Sequence, residues 1–155
     1  MSATRVRTAF SLASLLLLAC ASTPAGPPVV HWGVDECSHC HMILSEPRYA
    51  AVARSANGEE ARFDDLGCMA AWRVAEARGK WTIWAHASAG DAWLPAATAW
   101  FVPAGAHTPM GSGLLAFADR GAAAAVAPAG VTPLDWQALL ARTGARGSHP
   151  STSGT

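Results

Sequence analysis

Charge, cysteine and long apolar runs are all scarce in this chain of 155 residues. Asp, Glu, Lys and Arg together make up only 14% of it, with no basic patch, which removes nucleic acid from the expected partners. Its longest apolar run, Ala9 to Ala19, is well short of the roughly 20 residues that a membrane-spanning helix needs. There are four cysteines, and the CxxC formed by Cys37 and Cys40 has no second copy to complete a zinc site of the usual kind. No nucleophile can be set beside an acid and a base from spacing alone, so an enzyme is not expected.

The N-terminal pattern points to export. Arg5 and Arg7 precede the short apolar run, which stops at Leu17-Leu18-Ala19-Cys20. A basic start, a short apolar core and a small residue before the cut mark a secretory signal over residues 1–19. An aliphatic and then a small residue directly before Cys20 resembles the lipobox of bacterial lipoproteins, which implies a diacylated Cys20 as the mature N-terminus. Ala21 follows in place of an aspartate, which in a Gram-negative cell favours a periplasmic protein anchored in the outer membrane. Residues 20–33, rich in Ala, Pro, Ser, Thr and Gly, read as a lipidated tether, and 147–155 as a disordered tail.

Between these ends lie about 115 residues, enough for one ordinary domain or two very small ones. Without Arg5 and Arg7, nine basic residues face eleven acidic ones, a net charge near −2. Seven tryptophans are many for this size, and some are expected on a contacting surface. If Cys20 carries lipid, Cys37, Cys40 and Cys68 remain. An odd number in an oxidising compartment argues against a purely structural disulfide framework.

The pattern along the chain predicts an α+β fold. Tyr49 to Ala53 and Glu59 to Phe63 read as strands joined by a turn at Asn57-Gly58, a strong hairpin signal. Asp64 or Asp65 caps a helix from Leu66 to Arg78, stopped by Gly79, and Lys80 to His86 alternates as a strand. The second half repeats the order. An extended stretch runs from Trp93 through Val102, a second strand covers Leu114 to Asp119, and Thr132-Pro133-Leu134-Asp135 opens a helix with Thr132 as cap. Two similar ββαβ-like halves with antiparallel sheets are therefore expected, over 34–88 and 89–146, although they share no visible sequence identity.

Chemistry concentrates in Cys37-Ser38-His39-Cys40-His41-Met42. Two cysteines with this spacing can place both sulfurs on one ion or join as a disulfide, and Met42 adds a thioether. Thiolate and thioether are soft donors that select Cu(I) over hard cations, so Cu(I) leads as ligand. A redox CxxC normally starts a helix, whereas this one soon runs into Pro47 and a strand. A thiol-disulfide oxidoreductase and a structural zinc site are the competing readings. Met110 sits in a loop where packing does not explain a large flexible side chain, although a methionine folded onto the core is the plain alternative. Met69 and Cys68 read as core residues.

Three segments then carry a family resemblance: Cys37 to Met42, Phe63-Asp64-Asp65-Leu66-Gly67-Cys68-Met69, and Pro109-Met110-Gly111-Ser112-Gly113-Leu114-Leu115-Ala116-Phe117. In this order behind a lipobox they resemble the NosL family, copper-binding lipoproteins encoded with nitrous oxide reductase, over roughly residues 34 to 142. The resemblance implies a monomeric periplasmic chaperone of two ββαβ-like halves that hands one Cu(I) to the reductase. By position it implies Cys40 and Met42 as leading ligands, Cys37 as a partner or redox guard, and a histidine from among His39, His41, His86 and His107. The family usually has glycine at the position of His41, and a side chain there limits any positive φ. A lipoprotein that senses or scavenges metal without delivering it shares the same residues.

Overall fold

The computed structural model describes residues 26–76 and 78–147. The signal peptide, Cys20 and nearly all of the tail lie outside the described residues. Within them the chain is α+β, with antiparallel sheets of four and two strands.

The larger sheet has the order β2-β1-β3-β4, from Glu60–Phe63, Ala51–Ser55, Trp81–His86 and Trp93–Pro95. Central β1 is buried along its whole length, which its small residues Ala51 and Ala53 permit. Its one charge, on Arg54, is answered across the strand pair by Glu60 at 2.7 Å. The β1–β2 turn falls at Asn57-Gly58 as the dipeptide predicts. Gly58 takes φ +87°, and the Ser55 hydroxyl accepts from the Asn57 and Glu59 amides.

Helix α1 covers Leu66–Ala75, and Asp65 is its cap, accepting from the Gly67 amide at 2.6 Å. The helix ends before Arg78 because the chain must turn into β3: the Trp81 indole donates to the Arg78 carbonyl. Trp72 stacks obliquely on Phe63 and receives the edge of Trp81, which fastens α1 to the sheet.

The stretch expected from Trp93 to Val102 is broken in two. A turn on the Pro95 carbonyl, closed by the Thr98 and Ala99 amides, sends β4 to the larger sheet. The continuation is β5, Trp100–Pro103, which pairs with β6, Leu114–Phe117. A helix not anticipated from sequence, α2 at Arg120–Val126, follows, capped by Asp119 through the Ala122 amide. Thr132 is not the cap of the last helix. Leu134 stays extended and exchanges backbone hydrogen bonds with Phe101, so helix α3 starts only at Trp136, with Asp135 accepting from the Ala138 amide. The second half thus gives β4 to the larger sheet and then runs β5-β6-α2, one bridge where a further strand would stand, and α3. Helix α3, Trp136–Gly147, packs on α1 and buries Leu139.

Among the described residues, packing is already present at Gly26, inside the segment expected as tether. Pro28 is fully buried, Arg54 donates to the Gly26 carbonyl, and Arg62 donates to the Val29 carbonyl at 2.8 Å.

Candidate metal centre

The CxxC segment forms a tight loop. Glu36 and Ile43 bridge as in a hairpin, the Cys37 amide donates to the Met42 carbonyl, and the Cys37 carbonyl accepts from the His41 amide. Closing a loop of four residues in this way requires the last one to be left-handed, and His41 has φ +63°. Histidine tolerates this better than most residues, at a strain of about 1 kcal/mol. The side chain at position 41 therefore does not prevent the positive φ. Ser38 docks the loop on the outer edge of β2: its amide donates to the Arg62 carbonyl, and its hydroxyl accepts from the Arg62 amide. An otherwise open strand edge is thereby covered.

Docking on β2 matters because β2 leads directly into Asp64, Asp65 and the first turn of α1. It brings Asp64 and Cys68 to the loop. Ligand atoms of Cys37, Cys40, Asp64 and Cys68 all lie within 4.8 Å of one another, a group able to hold a metal ion. The Cys40 thiol donates to Asp64 Oδ1 at 3.5 Å. Cys37, Asp64 and Cys68 are buried, and Cys40 is the half-buried member. All three cysteines among the described residues are free.

Electrostatics concentrate negative charge in this group, first on Cys37 and above about pH 6 also on Asp64. Cys37 is drawn down to about 4, chiefly by a hydrogen bond with the Cys68 thiol and further by the Cys40, His39 and Asp64 amides, against the opposing effect of burial. Cys68 is pushed up, first by that same contact with Cys37 and then by burial. Burial also pushes Cys40 up, opposed by the Met42 amide. Asp64 rises to about 6, through burial and then the neighbouring Cys37. A buried thiolate beside a carboxylate that ionises above about pH 6, with protonated thiols around them, is an arrangement that a cation would stabilise.

The centre is reached through a groove of about 300 Å3 lined by His39, Cys40, Asp65, Gly67, Cys68, Ala71, Met110 and Ser112. Asp65 does more than cap α1. Its second carboxylate oxygen accepts from the Thr108 hydroxyl and the Met110 amide, so one side chain ties the Met110 loop to the start of the helix. Gly67 is required here, since a Cβ would stand 2.5 Å from Cβ of Ser112.

Of the residues expected as ligands, Cys37 and Cys40 are in the cluster and Met110 lines the groove beside it. Met42 is on the same loop and is 57% exposed. His86 is elsewhere: buried on β3, it bonds the Ala87 carbonyl and Asp91 through its two nitrogens and meets the edge of Trp93. His107 is exposed and does not line the groove. His39 does line it, with Nδ1 3.0 Å from Glu76 Oε1. Cys68, read as a core residue, is indeed buried, but its thiol belongs to the cluster, and Asp64 joins it unanticipated. The signals were present: Cys68 is a third thiol without a pair, and only one of two adjacent aspartates is needed as a cap.

No family model matches the chain, and a search of curated proteins finds no match to it.

Proposed function

We propose that the chain is a Cu(I)-binding protein that carries copper to a recipient enzyme, nitrous oxide reductase, and that it is not itself an enzyme. The observation that carries this reading is the convergence of three thiols and one carboxylate on a single buried point beneath a groove flanked by a methionine. Three sulfur donors favour a soft ion, and Cu(I) accepts two or three of them without a closed tetrahedral cage. Cys40, the half-buried donor that lines the groove, is the one that an incoming ligand would displace first. Met110, and Met42 on the exposed side of the loop, offer weaker thioether donors for the exchange. The resemblance to the NosL family supports the recipient, and the lipobox pattern at Cys20 supports periplasmic, lipid-anchored placement, with the outer membrane as the expected site.

The test is a Cu(I) titration against a competing chelator under reducing conditions. One ion per chain is expected, with binding lost in Cys40→Ser and weakened in Met42→Ala. Undiminished binding in both variants would overturn the reading.

A carboxylate beside three thiols also gives zinc a set of four donors, a second reading. Zn(II) holding its place against stoichiometric Cu(I) would favour it. Turnover in an insulin-reduction assay that depends on Cys37 would instead point to thiol-disulfide exchange.

A further inference from the structure

Helix α3 places Leu139, Arg142, Thr143 and Arg146 on one face, at the i, i+3, i+4 and i+7 spacing. That face closes with Gly67, Ser112 and Leu114 around a cavity of about 120 Å3. Gly67 and Ser112 also line the groove over the thiol cluster, so the cavity and the groove adjoin.

The two guanidinium groups stand one helical turn apart, an arrangement that costs stability through like-charge repulsion. Arg142 is half-buried, and burial followed by the Arg146 charge pulls it below its usual range. No acid of the fold answers them: among the described residues neither guanidinium has a hydrogen-bond or ion-pair partner. Asp65, beside Gly67, spends its oxygens on the Gly67 amide, the Thr108 hydroxyl and the Met110 amide. Residues 1–25 and 148–155 contain no Asp or Glu. Within the cavity the Thr143 hydroxyl donates to the Leu139 carbonyl and the Ser112 hydroxyl accepts from the Leu114 amide, so neither neutralises the pair. A cationic cavity of this size fits one carboxylate.

We propose that Arg142 and Arg146 form a docking subsite for a carboxylate-bearing segment of a partner protein, seated beside the metal groove. The proposal rests on the delivery reading. A partner presenting Asp or Glu next to its own metal ligand would engage both places at once, and the second contact then benefits from high effective concentration. Opposite charges would also speed and orient the encounter.

The experiment uses the full chain and two labelled synthetic peptides with the same methionine and histidine ligands, one flanked by glutamates and one by glutamines. Peptide binding to the metal-free protein is read by fluorescence anisotropy, and Cu(I) transfer from the loaded protein by stopped flow. The glutamate peptide should bind about tenfold more tightly at low salt, with the advantage gone at high salt. The preference should disappear in the Arg142→Gln, Arg146→Gln double variant and persist in the matching lysine variant, which keeps charge and helix. Equal binding of the two peptides, an unchanged preference in the glutamine variant, or Arg-dependent binding to anionic lipid vesicles with no peptide preference would overturn the proposal. A glutamate preference in protein that takes up no Cu(I) would sink the delivery reading and leave the docking subsite standing.

Discussion

The four-stranded sheet with α1 and the two-stranded sheet with α2 and α3 divide the work of the site unequally. The first region supplies Asp64 and Cys68 and the β2 edge on which the Cys37–Cys40 loop docks; the second supplies no member of the thiol cluster. What the second region does contribute is the approach: the Met110 loop, fastened to Asp65, and the Arg142–Arg146 face of α3. Holding an ion needs rigid, buried donors, and a wide sheet with a capped helix provides them. Exchanging an ion needs an accessible rim, which loops and an exposed helix face provide.

The largest effect should come from the holding side. Cys68→Ser removes a buried sulfur and should weaken Cu(I) binding by about 100-fold or more in chelator competition. Parental affinity in that variant would show that the first region does not hold the ion through α1. Asp65→Ala cuts the link between the regions, losing a helix cap and two loop contacts, at about 2 to 4 kcal/mol. Urea unfolding gives the loss, and amide exchange should show the Met110 loop opening while the larger sheet stays protected. Uniform exchange through both regions would mean they are not separable in this way.

The charge state of the metal-free centre supplies a pH test of the same region. Cys37 falls from 9.0 to about 4, so its share of stability grows as pH rises from about 4 and is complete above 9. Asp64 rises from 3.8 to about 6, so its share is complete below 3.8 and is lost as pH rises through about 6. The two contributions oppose each other between about 4 and 6, and stability should climb only above 6. Asp64→Asn removes the opposing half, so the stability of that variant should climb from about pH 4. Urea midpoints across this range check it, and a flat variant curve between 4 and 6 would contradict the assignment.

Smaller effects belong to the approach. Met110→Ala should change Cu(I) affinity or transfer by about tenfold or less, as expected for one soft, exposed thioether, while leaving stability nearly unchanged. His107→Ala should alter neither by more than the error of the measurement, because that ring is exposed and outside the groove. A large loss of copper in the histidine variant would bring the second region into the centre itself.

Much of the first region was legible along the chain. The Asn57-Gly58 turn, the aspartate cap of α1, the alternation of β3 and the CxxC loop each depend on residues a few positions apart. The second region was less so. The Ala-rich α2 has little amphipathic pattern, and the Thr132-Pro133 start signal for α3 lost to a strand-like contact between Leu134 and Phe101. Local propensity is a weak preference that one pair of long-range backbone hydrogen bonds can override.

By itself, then, the sequence determined the class of the fold and the place where soft chemistry gathers, since hairpin turns, caps and the Cys37–Met42 segment are short-range features. Only the tertiary structure decided which donors meet. Cys40 and Asp64 are 24 positions apart, and they come together because Ser38 and Arg62 set the loop against β2 in one register. The same register leaves His86 and His107 out of the cluster. Convergence of side chains on a point is a property of how strands pair and helices pack, and residue spacing along the chain does not encode it.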